Sequence, residues 1–255
     1  MDMKTLKLPK ILEPKQDYPL VRLGSSRDGG YLIDKRLLNN DLLSFGICGD
    51  WKFEKDWKRL SGPNRRIVTF DGSIGAANFL VDAVTSSFRL HKPDLVMRNW
   101  HVLFDYFRFL KTQTLFEQKF VTRKTVDGAN ETFQNALHNY GLAQPVFLKM
   151  DIEGNEYELL DAIIDYKTSL IGIAIEFHNP STNIEAIKDF VSGIDMNITN
   201  VHVNNCLPKD DSKVVEPSIE ISLSSQRGTG PYLGHPHPLE RDNDATCDPV
   251  AINFS

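Results

Sequence analysis

Short apolar runs punctuate this chain, and most of them stop at a glycine or an acidic residue. DLLSFGICGD (41–50), RRIVTFDGS (65–73), VFLKMD (146–151) and SLIGIAIEF (169–177) are hydrophobic at nearly every central position, as strands covered on both faces are. NITNVHV (197–203) and SIEISLS (218–224) alternate instead, and KFVTRKTV (119–126) reads as a weaker third strand. Between the runs the period changes to that of helices. FEKDWKRLSG (53–62) spaces Phe53, Trp57 and Leu60 on one face and stops at Gly62. ETFQNALHNYG (131–141), NEYELLDAII (155–164) and NIEAIKDFVSG (183–193) follow the same rule, and a long helical stretch over about 76–116 is rich in aromatics. Strands separated by helices predict an α/β fold, a mostly parallel sheet with helices on both faces. Such a sheet binds its ligand outside the carboxyl ends of its strands, where strand order reverses. The expected organisation is one domain over 1–255, with a helical insert at 76–116 and a loop-rich tail at 224–255.

Composition narrows the class. The 255 residues are 41% hydrophobic and 25% charged, with a net charge of −5, so no phosphate-neutralising surface is indicated and nucleic acid is not an expected partner. No apolar run reaches the length of a membrane span, and MDMKTLKLPKILEPK has no signal-peptide pattern, which points to the cytoplasm. Cys48, Cys206 and Cys247 are odd in number and lack zinc spacing, so free thiols in a reducing compartment are expected.

The candidate chemistry sits at the strand ends. Gly46 and Gly49 in SFGICGDWKFE would let the backbone approach a ligand closely, or simply form a tight strand-to-helix turn. Asp71, followed by Gly72 and Ser73, stands where an acidic residue commonly receives ribose hydroxyls; it would equally serve as a helix N-cap. The dinucleotide fingerprint GxGxxG is absent, which argues against an oxidoreductase. In VFLKMDIEGNEYELL, alternation puts Lys149, Asp151 and Glu153 on one side as the strand leaves the sheet. Glu156 falls in the first turn of a helix, where a negative charge is favoured by the dipole, and is read as structural. IAIEFHNP ends with Glu176 and His178 on one face, and NVHVNNC with His202 and Asn204 on one face and Asn205 beside them.

FLKMDIEGNEYELL resembles the LKxDxEGxE signature of the FkbM-like S-adenosylmethionine-dependent methyltransferases, with Leu148, Lys149, Asp151, Glu153, Gly154 and Glu156 all fitting. RLGSSRDGGYLID, LLSFGICGDWKFE with Glu54, IVTFDGS and VHVNNC resemble further segments of that family in the same order, from about Arg22 to about Leu223. The resemblance implies a Rossmann-like methyltransferase fold with a seven-stranded sheet and an antiparallel late strand. It also implies S-adenosylmethionine as cofactor and O-methyl transfer to a hydroxyl of a sugar or natural product. Gly46, Gly49 and Asp50 would then line the methionine part and Asp71 hold the ribose, with Gly72 also at the cofactor, and Asp28, Gly29 and Gly30 would close over the cofactor beside Asp151. The long aromatic insert and the reduced glycine motif depart from the family pattern.

Methyl transfer from a sulfonium requires an aligned oxygen and a group that removes its proton. His178 is the expected base, with Asp151 and Glu176 orienting it or the substrate and Glu153 completing an acidic mouth; His202 is the second choice. A divalent metal on these oxygen and imidazole donors is a weaker alternative, and no metal ligand is assigned. The alternatives to a methyltransferase are a metal-dependent hydrolase and a non-catalytic nucleoside-binding protein on the same fold. The aromatic insert, with Trp100, His101, Phe104, Tyr106, Phe107 and Phe109, is expected to face the core or a second copy; as a lid it would stack on a sugar.

Overall fold

The computed structural model describes residues 4–88, 92–124, 128–205 and 216–255. Seven strands form one sheet: β1 Leu42–Phe45, β2 Ile67–Phe70, β3 Leu115–Glu117, β4 Val146–Met150, β5 Leu170–Phe177, β6 Asn197–Val203 and β7 Ile219–Ser224. Their spatial order is β6-β7-β5-β4-β1-β2-β3. Every neighbour pair from β5 to β3 is parallel, and only β7 runs antiparallel, against both β5 and β6. This is the expected seven-stranded Rossmann-like sheet with an antiparallel late strand. Chain order reverses between β1 and β4, so a crevice opens there at the strand ends.

The apolar runs are explained by burial on two faces. In β4, Leu148 belongs to a core on one face, with Phe133, Leu160 and Phe190 from the covering helices. Its neighbour Phe147 points the other way and packs on Phe53 and Trp57 of α1 (Lys52–Ser61). The first face is covered by α4 (Phe133–His138), α5 (Leu160–Asp165) and α6 (Ile184–Gly193). On the second face α1 is joined by an antiparallel pair, Leu20–Gly24 with Gly30–Asp34, which brings Tyr31 into the core.

Three expectations change. The stretch 76–116 is not one helix. It is a hairpin of α2 (Ala76–Ser87) and α3 (Pro93–Asp105), followed by a π-helical turn, Tyr106–Leu110, and then β3. The third strand of the sheet is therefore Leu115–Glu117. The run expected to supply it holds only Phe120–Thr122, which pairs with Asn130–Thr132 outside the sheet, and residues 125 and 126 of that run lie outside the described residues. The tail is not only loop: Val250–Phe254 pairs in parallel with Lys4–Leu8. No helix among the described residues is long and apolar enough to cross a membrane. Cys48 and Cys247 are free thiols, whereas Cys206 lies outside the described residues.

Candidate active site

A cleft of about 1160 Å³ runs across the strand ends. That exceeds the roughly 300–1,000 Å³ of a pocket for one small ligand, so it has room for two molecules side by side. Its floor is the turn after β1. Gly46 has φ +69°, a conformation that favours glycine, and a Cβ there would stand 1.6 Å from the backbone oxygen of Asp151. The turn is held by charges of opposite sign. The Asp71 carboxylate accepts the backbone N–H of Ile47 at 2.9 Å and of Cys48 at 2.7 Å. The ammonium of Lys149, 5% exposed, donates to the Gly46 carbonyl. Asp71 also accepts from the backbone N–H and hydroxyl of Ser73. Four donors thus already occupy the side chain expected to hold a ribose, and its first task is to shape the turn. Glu54, fully buried in the first turn of α1, accepts from the Ser44 hydroxyl. Burial raises its carboxyl, against the pull of Lys149.

At the next strand end the expected alternation fails. β4 stops at Met150, and Glu153 adopts φ +56°, so its side chain is thrown outward and is 82% exposed. Asp151 stays inside, 3.7 Å from Lys149. Tyr31 contributes what sequence reasoning missed. Its hydroxyl lies 3.1 Å from Asp151 Oδ2 and 3.2 Å from Glu176 Oε2. One hydroxyl proton cannot satisfy two carboxylates at once, and the pair is relieved when one of them is protonated. Burial first, and then repulsion from Asp151, push Glu176 up to about 7. Tyr31 itself is pushed well up by burial and by these carboxylates, so it remains a donor. The signal was available in the sequence: Tyr31 closes the DGGY segment.

His178 sits just past β5, held by Glu156 rather than by Asp151 or Glu176. Glu156, fully buried, accepts the His178 backbone N–H at 2.6 Å, its Nδ1–H at 3.1 Å, and the Gly154 N–H at 2.8 Å. Glu153 lies 3.4 Å from Nε2 and Glu176 3.9 Å. Burial pulls the imidazole down, but Glu156, Glu176 and Asp151 outweigh it and raise His178 to about 9. These carboxylates favour the imidazolium form, in which His178 could not take the proton expected of it as a base. Asp151, Glu153 and His178 each bring one ligand atom to within 4.8 Å of the others.

His202 is absent from the cleft lining. It lies 2.8 Å from Glu240 and 2.6 Å from Asn243, and it too is raised to about 9, by Glu240 and Glu220 against burial. Asp28, Gly29, Gly49, Asp50 and Gly72 line the cleft, but Gly30 does not; it is buried in its strand, against Ser25 and Arg22. Among the described residues of the aromatic insert none lines the cleft: Tyr106 and Phe109 are buried, whereas Trp100, Phe104 and Phe107 face solvent.

These groups make a prediction about stability. His178 and His202 rise from 6.5 to about 9, so their stabilisation is complete below about 6.5 and is lost as pH rises through about 9. Glu176 and Glu220 rise from 4.5 to about 7 and about 8, the second chiefly by burial, so the folded chain also holds their protons more tightly. All four act with one sign. The melting temperature falls as pH is raised from 6.5 through about 9, and a melting series across that range checks it; a rising series would refute the clustered protonation.

A family model described as the methyltransferase FkbM domain matches residues 14–221. No match is found among curated proteins. Solved structures similar to this chain include a precorrin-6y C5,15-methyltransferase of Geobacter metallireducens GS-15. It is 13% identical, with 72% of this chain and 80% of that one covered and a TM-score of 0.37. A candidate O-methyltransferase of Klebsiella pneumoniae is 9% identical over 75% and 76%, with a TM-score of 0.36. A candidate tRNA methyltransferase of Streptococcus pneumoniae, in complex with S-adenosyl-L-methionine, is 8% identical over 80% and 76%, with a TM-score of 0.40.

Proposed function

The chain belongs to the FkbM methyltransferase family, and on that premise we propose that it methylates a hydroxyl group, that of a sugar or glycan, with S-adenosylmethionine as donor. The residues fit this cofactor. The cleft carries acidic side chains on both sides of the β1 turn, Asp50 and Asp71 on one and Asp151, Glu153 and Glu176 on the other, which suits a cationic sulfonium. Nothing stands within 4 Å of a Cβ built on Gly49, so this glycine leaves open space where a ligand can come close to the backbone. Phe120 lies against Gly72 at the far wall and offers an aromatic surface to a base.

S-adenosylmethionine supplies an electrophilic methyl group when bound. The chain's own part is to align the acceptor and take its proton. One observation carries the O-methyl reading: a buried carboxyl held near 7, Glu176, bridged through the buried Tyr31 to Asp151, with both carboxylates in the cleft lining. A group poised near the working pH is suited to general base catalysis. The hydroxyl proton goes to this carboxylate pair, while His178, charged and fixed by Glu156, orients the acceptor oxygen. A metal-assisted variant is favoured by the grouping of Asp151, Glu153 and His178; an ion there would replace the proton on His178 Nε2.

Calorimetric titration with S-adenosylhomocysteine, with NAD as control and with and without manganese, tests the cofactor. Transfer from labelled donor to methyl glycosides, phenols and oligonucleotides tests the acceptor. Micromolar binding of S-adenosylhomocysteine and transfer to glycosides are expected. Transfer confined to oligonucleotides would replace the acceptor class, and no binding by folded protein would remove the activity. Asp71→Ala releases the Ile47 and Cys48 amides and is expected to weaken S-adenosylhomocysteine by about tenfold or more in the same titration.

A further inference from the structure

The family match ends at residue 221, yet the cleft is completed by residues beyond it: Asn243 and Asp244 of the tail line its end near β5 and β6. This segment is fastened to the sheet. His202 on β6 pairs with Glu240 at 2.8 Å, and Asn200 donates to Glu240 at 2.5 Å. Asn205 donates to the Asp244 carbonyl at 3.0 Å and accepts the Asp244 N–H at 2.9 Å. Asn243, 2% exposed, accepts from His202 and donates to Glu220 at 3.0 Å and to Asp28 Oδ1 at 3.2 Å. Asn204 donates to the same Asp28 oxygen at 2.8 Å and to Glu176 at 3.0 Å.

We propose that the tail segment around Glu240–Asp244 is a strap that builds the acceptor subsite, in which Asp28, steadied by Asn243 and Asn204, receives sugar hydroxyls. Both amides use Oδ1 of the exposed Asp28, and among the described residues no donor reaches its Oδ2. A carboxylate oxygen set in this way accepts hydroxyl donors, the groups a sugar presents in number. The Asn204 amide spans Asp28 and Glu176, so a sugar seated on Asp28 stands beside the carboxyl pair that takes the proton. His202 touches neither sugar nor cofactor; it is a positioning residue that sets Asn243 and Glu240. The assignment moves Asp28 from the cofactor to the acceptor. It also gives acceptor choice to a segment outside the matched domain.

This inference rests on the proposed methyltransferase reading, and its test separates the two. Saturation-transfer NMR with methyl glycosides is run on the full chain in the presence of S-adenosylhomocysteine, whose own affinity is measured in parallel. The native chain is expected to bind glycosides. Asp28→Ala is expected to weaken them by about tenfold, the loss of a hydrogen bond to a charged group, and His202→Ala to weaken them in the same direction by unseating Asn243 from Asp28, while S-adenosylhomocysteine affinity stays within about twofold. Should His202→Ala fail to fold, Asp28→Ala decides alone. Glycoside binding unchanged in Asp28→Ala overturns the subsite. So does a native chain that binds S-adenosylhomocysteine but no glycoside. A parallel fall of both affinities in Asp28→Ala overturns it too, by returning Asp28 to the cofactor. Failure of S-adenosylhomocysteine to bind the native chain removes the methyltransferase reading and the subsite with it.

Discussion

Glu176→Gln is expected to lower kcat by about 10²–10⁴-fold, the usual worth of a general base, while S-adenosylhomocysteine binds as before. Glutamine preserves the shape and can still meet Tyr31 and Asn204, but it cannot take a proton. The pH profile identifies the role. In the native chain kcat/KM rises as Glu176 ionises, near 7, and falls as His178 loses its charge, near 9. The optimum therefore lies between the two. The variant loses the rising limb and keeps the falling one. Retention of both limbs at an unreduced rate would assign the proton to Asp151 alone.

Gly46→Ala is expected to be among the most damaging single substitutions in the chain. The new methyl would stand 1.6 Å from a backbone oxygen, and φ +69° disfavours any side chain. The obstacle is main chain of the adjacent strand end, which has no rotamer to escape into. A loss of about 3 kcal/mol or more is expected, a large share of the roughly 5–15 kcal/mol that holds an ordinary protein folded. Urea unfolding measures it. Gly49→Ala is the control: its Cβ meets nothing within 4 Å. That variant should fold normally and lose cofactor affinity only if the ligand lies against this glycine. Equal and small effects at both positions would mean that the turn is not the rigid floor described above.

The fold was legible where burial is two-sided. β1, β2, β4 and β5 announce themselves because each residue has a core to enter on one face or the other, as Phe147 and Leu148 do. Strand ends follow directly, so Gly46, Asp71, Asp151 and Glu176 were found. β3 was not, because three residues carry no period and an aromatic helix runs into them. The partner of Lys4–Leu8 was invisible because it lies at the other end of the chain. In the site, residue types were legible and their roles were not. Glu156 reads as a helix-start charge, yet three N–H groups converge on it. His178 reads as a base until the carboxylates of separate strand ends are counted around it. His202 lies in β6 and Asn204 just past its end, yet one faces the tail and the other the cleft. Such convergence depends on distances between strands, which spacing along the chain does not contain.

The acidic lining has a consequence for the end of each cycle. Attraction between these carboxylates and a sulfonium depends on its positive charge, and that charge vanishes when the methyl group leaves. The spent molecule is a neutral thioether in the same cleft, still matched in shape but no longer in charge. On the proposed reading, Asp151 and its neighbours would therefore hold fresh donor more strongly than exhausted donor by charge.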